Sequence, residues 1–306
     1  MSFSDSRVPL LLDTDIGDDV DDVFALLLAA RQPQVELMGV TTVYGDVNER
    51  TRIARKLLRL AGRTDVPVVT GLGTTLSGRD PGPVMSSGLG FATADEPVGT
   101  GANSGAVAFL IRRIRMSPVA PVLVAIGPLT NVGAVLREAP DIVGRLRALI
   151  LMGGRLGADA AKGEHNVNSD AAATQIVLES AAPLRIGTFE VTMRARLGRP
   201  AQDRLQRSGD PACMGAAAML ELYLHQTGRA DTAMYDPLTL SLAYTDQFLT
   251  MHPTALRATY GPELVRLDAA DSATSPVDVS VDAEPDAFIE HLLQTITGAM
   301  PAEQGS

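Results

Sequence analysis

Six aspartates fall within ten residues near the start of the chain, in Asp13-Thr14-Asp15-Ile16-Gly17-Asp18-Asp19-Val20-Asp21-Asp22. The five residues before them, 8–12, are apolar enough to form a buried strand. Carboxylates at this density repel one another unless a cation neutralises them or some take up protons. Asp18 or Asp19 can cap a following helix, whose unpaired amide groups and dipole favour negative charge. Capping does not account for all six. An all-oxygen ligand set suits Ca²⁺ or Mg²⁺ better than zinc, which prefers His or Cys. The spacing is not that of an EF-hand loop, which closes on a glutamate. The stretch is therefore expected to form part of a divalent-cation site.

Short apolar runs alternate with longer amphipathic ones along the chain. Strands are expected at residues 8–12, 35–43, 66–70, 122–126, 148–152 and 184–188. Helices are expected at residues 22–31, 48–61, 104–115, 131–138, 171–180 and 213–227. Continuous apolar strands that are each followed by a helix predict an α/β fold with an open, mostly parallel, Rossmann-like sheet flanked by helices. Such sheets bind ligands at the carboxyl ends of their strands, and the polar clusters of this chain fall there. No repeat, low-complexity tract or long linker divides the 306 residues. One domain over residues 1–306, with an ordered core over 8–295, is expected. The glycine-rich loop at 71–101 is the longest candidate lid or subunit contact.

A net charge of −10 and a pI near 4.9 oppose binding to nucleic-acid backbones or anionic membranes. No uninterrupted apolar run is long enough to span a bilayer, and the N-terminus lacks the pattern of a signal peptide. The single cysteine, Cys213, has no internal partner and sits in an Ala/Met-rich run, where a buried, inert thiol is expected. These features predict a soluble protein of a reducing, cytoplasmic compartment.

Taken in order, the polar motifs resemble those of the inosine/uridine-type nucleoside hydrolases. A strand followed by Asp-Thr-Asp-x-Gly, then Asp-Asp and Val-Phe-Ala-Leu-Leu-Leu, is similar to the opening signature of that family. Thr41-Thr42-Val43-Tyr44-Gly45-Asp46-Val47 is similar to its second strand-end motif, and Ile126-Gly127-Pro128-Leu129-Thr130-Asn131 to its Gly-Pro-Leu-Thr-Asn turn. Met152-Gly153-Gly154, Glu164-His165-Asn166 and Asp170 resemble its ribose-binding segment. Phe189-Glu190-Val191-Thr192, Tyr235-Asp236-Pro237-Leu238 and the segment from Val279-Ser280-Val281-Asp282 to Phe288 complete the series.

The resemblance implies the nucleoside hydrolase fold, hydrolysis of the N-glycosidic bond of ribonucleosides, a Ca²⁺ cofactor, and a homodimer or homotetramer. It implies Asp15 as metal ligand and general base, with Asp22, the carbonyl of Ile126 and Asp236 as further ligands. Asp21, Asp46, Glu164 and Asn166 are implied as substrate contacts, a carboxylate and an amide being suited to a vicinal diol. Two extra residues, Asp19 and Val20, interrupt the family's spacing. Alignment from the helix selects Asp21 and Asp22, whereas alignment from the strand selects Asp19 as a ligand.

Other departures concern the sugar and the leaving group. Ala158 replaces a ribose-binding Asn, with Asp159 beside it as a substitute, and Asp46 replaces an Asn. Tyr235 stands where base-cleaving members carry a His as acid, and Gly88-Leu89-Gly90 lacks the His and Asp that precede it in them. Tyr235, His225 and Tyr223 are the candidates for contact with the leaving group, and His165 lies near the ribose segment. His252 and His291 read as surface residues. Alternative readings are a hydrolase of a modified or biosynthetic ribosylated metabolite, a non-catalytic ribose-binding homologue, and a magnesium phosphatase built on Asp13-Thr14-Asp15.

Overall fold

The computed structural model describes residues 7–78, 81, 91, 92, 96, 98, 105–261, 264–269 and 277–298. A strand that is apolar on both faces has to lie inside a sheet covered on both sides. β1 (Val8–Thr14) is buried from end to end. Leu10 and Leu12 enter one hydrophobic core and Leu11 the core on the opposite face. Around it are built β2 (Val35–Thr42), β3 (Val68–Thr70), β4 (Val122–Ala125), β5 (Ala148–Met152) and β6 (Leu184–Gly187). Later in the chain come β7 (Arg196–Gly198), β8 (Asp231–Ala233), β9 (Leu249–Thr254), β10 (Leu256–Tyr260), β11 (Val265–Ala269) and β12 (Val277–Ala283).

The main sheet has the order β3-β2-β1-β4-β5-β6-β12-β9, parallel throughout except for β9, which runs antiparallel to β12. β7 with β8 and β10 with β11 form two small antiparallel ribbons. The chain leaves β1 towards β2 and β3, then returns to β4 on the other side of β1. This reversal opens a crevice beyond the carboxyl ends of β1 and β4, where ligands of open α/β sheets bind.

Among the described residues, eleven α-helices cover the sheet and its ends: α1 (Asp21–Arg31), α2 (Val47–Leu60), α3 (Gly105–Met116), α4 (Thr130–Glu138), α5 (His165–Ser169), α6 (Ala171–Glu179), α7 (Phe189–Thr192), α8 (Arg199–Arg207), α9 (Pro211–Thr227), α10 (Tyr235–Leu240) and α11 (Pro285–Thr297). α1 is buried on every side from Asp21 to Ala30, as its unbroken Val-Phe-Ala-Leu-Leu-Leu run requires. It packs against α2, α9, α10 and α11. α2 is amphipathic, with Ile53, Ala54, Leu57 and Leu58 turned inward. Asp210 caps α9, accepting from the Cys213 amide at 2.9 Å, and Gly228 ends it in a left-handed conformation at φ 66°.

Cys213 is buried and its thiol is pushed up to about 11 by that burial, which keeps it unreactive. His291 corrects the surface reading. It packs 4.9 Å from Phe248, lies 3.0 Å from the Tyr244 hydroxyl, and is held below the usual histidine range by burial. His252 is exposed on β9, as expected. Among the described residues no helix is long and apolar enough to cross a membrane. The segments 82–90 and 270–276 lie outside the described residues, and with them Gly88-Leu89-Gly90 and most of the 71–101 loop.

Close approach of α4 and α6 depends on Gly133, because a Cβ there would sit 2.8 Å from Ala173 Cα. Gly133→Val is expected to destabilise the fold by about 1–3 kcal/mol through overpacking, seen as a fall of several degrees in thermal midpoint. An unchanged midpoint would mean that the two helices are not locked together there.

Candidate active site

The loop after β1 carries the aspartates. Asp13 points into the sheet's end, where its Oδ1 accepts from Thr41 Oγ1 and from Asn131 Nδ2, the latter at 2.7 Å. Its Oδ2 has no partner among the described residues. Burial pushes this carboxyl up to about 7, against the lowering effect of Thr41 and Asn131. Asn131 also donates to the Thr42 carbonyl at 3.0 Å and accepts from the Leu72 amide at 2.9 Å, so it ties together the ends of β1, β2 and β3. Thr14 Oγ1 donates to Asp22 Oδ1 and accepts from the Ile16 amide at 3.1 Å, which folds the loop back over the start of α1.

Three carboxylates from distant segments then meet. Asp21 and Asp22 open α1, and Asp236 arrives in the first turn of α10, its amide donating to Asp21 Oδ2 at 3.1 Å. All three are buried, each with an oxygen within 4.8 Å of the others. Asp15 lies beside them, 5 % exposed, under Gly127, where a Cβ would stand 2.7 Å from its Oδ1. Burial, and then the neighbouring aspartates, hold Asp21, Asp22 and Asp236 well above the usual carboxylate range. Burial also raises Asp15, to about 6, although Arg50 opposes the shift.

A cluster of buried carboxylates with only oxygen donors has the chemistry of a hard divalent-cation site. Such a cation would supply the charge that the cluster lacks. The residues present fit Ca²⁺ or Mg²⁺.

Arg50 is the fixed cation that the structure does provide. It is 3 % exposed on α2. Its guanidinium donates to the carbonyls of Tyr44, at 2.6 Å, and of Asp15, and pairs with Asp18 Oδ2 at 2.7 Å. Tyr44 sits at φ 68°, an uncommon conformation for a non-glycine residue, held there in part by this contact.

The cluster forms one wall of a cavity of about 590 Å³. Ile126, Glu164, Asn166 and His165 line the same cavity as Asp15, with His165 Nε2 at 4.0 Å from Asp15 Oδ2. Glu164 caps α5, its carboxylate accepting from the amides of Gly154, Asn166 and Val167 at 2.9–3.1 Å. Asn166 Nδ2 donates to the carbonyls of Ile126, at 3.0 Å, and Met152, at 3.1 Å. Phe189, Tyr235, Tyr223 and Arg229 also line the cavity, with Asp19 among them. Phe189 and Tyr235 stack at 5.1 Å, and the Arg155 guanidinium lies 3.8 Å over Phe189.

The structure thus brings together Asp15, Asp21, Asp22, Asp236, Ile126, Glu164, Asn166, Tyr223 and Tyr235. It places Asp21 and Asp22, rather than Asp19, against Asp236. Asp19 lines the cavity further out, where its Oδ1 accepts from the Val20 amide at 2.6 Å and its Oδ2 from the Tyr223 hydroxyl at 3.1 Å.

Two expected site residues stand elsewhere. Asp46 is exposed and caps α2, accepting from the Glu49 amide at 3.0 Å, so a local helix-end demand sets its position. His225 faces away from the cavity, into a separate groove between α8 and α9 that Arg199, Asp203 and Glu221 also line. It lies two residues from Tyr223, and a helix turns such neighbours to different faces. Tyr223 and Tyr235 are both pushed up to about 12, first by burial and then by nearby aspartates, which makes either phenol a poor acid near neutrality. The side chains of Ala158 and Asp159 lie outside the described residues. Sequence reasoning missed Arg50 and Arg229; no local pattern marks a lone arginine that reaches a site from a helix or a helix end.

Residues 10–290 match the profile of the inosine-uridine preferring nucleoside hydrolases. A pyrimidine-specific ribonucleoside hydrolase, RihA of Escherichia coli, is 27% identical over 308 aligned residues, covering 94% of this chain and 98% of the relative. Among solved structures, a purine-preferring ribonucleoside hydrolase from Gardnerella vaginalis is 25% identical, with a TM-score of 0.84 over 95% of this chain and 98% of that one. A plant nucleoside hydrolase has the same fold, with a TM-score of 0.81 at 22% identity over 95% of this chain and 99% of that one.

The raised carboxyls give a pH dependence with a definite sign. Asp13, at about 7 in the folded protein against an ordinary value of 3.8, holds a proton that the unfolded chain has released. Its contribution to stability is complete below the ordinary value and is lost as pH rises through about 7. In chelator, the thermal midpoint of the wild type is therefore expected to fall more steeply than that of Asp13→Asn between about pH 5 and pH 8. Parallel curves would sink this assignment.

Proposed function

Because the chain belongs to the inosine-uridine preferring nucleoside hydrolase family, we propose that it hydrolyses the N-glycosidic bond of ribonucleosides with Ca²⁺ held by Asp15, Asp22, Asp236 and the carbonyl of Ile126. The observation that carries this reading is the convergence of buried carboxylates from residues 15–22 and 236 in one cavity with Glu164 and Asn166. When bound, the cation supplies a positive charge that orients a water molecule and the sugar's hydroxyls and makes that water easier to deprotonate.

Asp15 is the general base. Its carboxylate takes the proton of the attacking water as the water oxygen bonds to the anomeric carbon, and the electron pair of the breaking C–N bond leaves with the base. Arg50, bound to the Asp15 carbonyl, and Gly127, packed beside its carboxylate, fix where that base sits. Asp21, which meets Asp22 and Asp236 in the same carboxylate group, would contact a ribose hydroxyl together with the side-chain oxygen of Asn166. Glu164 orders α5 and so holds Asn166 in place. The stacked rings of Phe189 and Tyr235, together with Tyr223 and Arg229, line the cavity where the leaving base would lie.

Ribose release from a nucleoside panel, measured as reducing sugar, is expected to need Ca²⁺ and to stop in chelator. Asp15→Asn is expected to lower kcat at least about 100-fold with the fold intact, the usual contribution of a positioned base. Metal-independent release, or full activity in Asp15→Asn, would overturn the reading.

A further inference from the structure

Arg229, exposed just past the end of α9, lines both this cavity and the neighbouring groove that holds His225, and it has no part in the roles assigned so far. We propose that it activates and selects the leaving group, its guanidinium taking aglycones that present an oxo oxygen. The inference rests on the hydrolase reading above.

The position of the guanidinium follows from local structure. Gly228 ends α9 at φ 66°, and the Arg229 amide turns back to the Leu224 carbonyl at 3.2 Å. Nη1 then donates to the Tyr223 hydroxyl at 3.3 Å, and that hydroxyl donates to Asp19 Oδ2 at 3.1 Å. The chain Arg229–Tyr223–Asp19 braces one edge of the guanidinium against the cavity wall. A guanidinium carries five N–H donors, so others remain to meet a ligand. The Tyr223 hydroxyl, with its hydrogen directed to Asp19, is not free to protonate a leaving group.

The guanidinium itself favours an acceptor. Asp15, Asp21, Asp22 and Asp236 line the same cavity, Asp19 accepts from the Tyr223 hydroxyl beside Arg229, and Arg50 is buried behind the aspartate loop. The stacked rings of Phe189 and Tyr235 line the same cavity as Arg229 and suit a planar heterocycle. As the C–N bond breaks, its electron pair passes to the heterocycle, and in an oxo heterocycle the charge spreads onto the oxygen. Guanidinium N–H donors stabilise that charge without transferring a proton. The departed anion takes its proton from solvent, while the proton of the attacking water stays on Asp15. In this way Arg229 fills the place of a leaving-group acid, which Tyr235 fills poorly.

The test compares inosine and uridine with p-nitrophenyl β-D-ribofuranoside, whose nitrophenolate departs without assistance. Arg229→Met is expected to lower kcat/KM on the two nucleosides at least about 10-fold and on the nitrophenyl riboside by less than about 3-fold, as loss of a donor to developing charge predicts. Arg229→Lys is expected to recover part of the loss. Equal falls on all three substrates, or no fall on the nucleosides, would overturn the assignment. A wild-type enzyme that releases ribose from other nucleosides of the panel but cleaves neither inosine nor uridine overturns the role of Arg229 and leaves the hydrolase reading standing. A wild type that cleaves no nucleoside of the panel overturns both.

Discussion

Mutual repulsion among carboxylates buried at the end of β1 is the constraint around which the site is arranged. Asp15, Asp21, Asp22 and Asp236 are all at most 5 % exposed, and each is raised by burial before any neighbour is considered. Arg50 answers part of this charge from beneath, through Asp18 and the carbonyl of Asp15. Hydroxyl donors answer another part, Thr14 on Asp22 and Thr41 on Asp13. A bound cation would offset the remainder, and the unoffset charge sits in a cavity open to small ligands and not in the apolar core.

The sheet topology makes that arrangement possible. β1 lies in the interior of the sheet, and its neighbours β2 and β4 are reached by connections that leave in opposite directions. The loops after these strands therefore diverge and leave a crevice, lined by Asp15, Ile126 and Tyr44 from three separate segments. Asn131 crosses the same junction, holding Asp13, Thr42 and Leu72 together. Stability and function meet in this residue, because the hydrogen bonds that close the strand ends also fix the floor of the site.

The two ends of the cavity differ in kind. Near the carboxylates several groups are held by multiple partners: Glu164 accepts from three amides, and Arg50 bonds Tyr44, Asp15 and Asp18. The opposite end is built of rings and long side chains, with Tyr223 and Arg229 joined by a single hydrogen bond. The named relatives include a pyrimidine-specific and a purine-preferring enzyme. Physical preorganisation is needed where the bond breaks, whereas recognition of the leaving group tolerates change.

Much of this was legible from the order of residues. The six strands and six helices expected from apolar periodicity all occur, with ends displaced by no more than two residues. Buried parallel strands are continuous apolar runs, and such runs are visible without knowledge of partners. The ribbons β7–β8 and β10–β11 were not legible, being short and half-exposed, with no strong periodicity. The acidic loop, Glu164, Asn166 and Asp236 could be chosen from their types and motifs. Asp46 and His225 could be chosen too, but a helix cap claims the first and the turn of α9 carries the second away. Sequence determined that the stretch 13–22 would carry more negative charge than a fold can leave unbalanced. Tertiary structure decided how the balance is struck: Asp21 and Asp22 meet Asp236, Asp19 turns to Tyr223, and Arg50 and Arg229 arrive from segments that nothing in the local sequence connects to the site. Long-range pairing depends on the path of the chain through space, and that path is fixed by packing of the whole sheet.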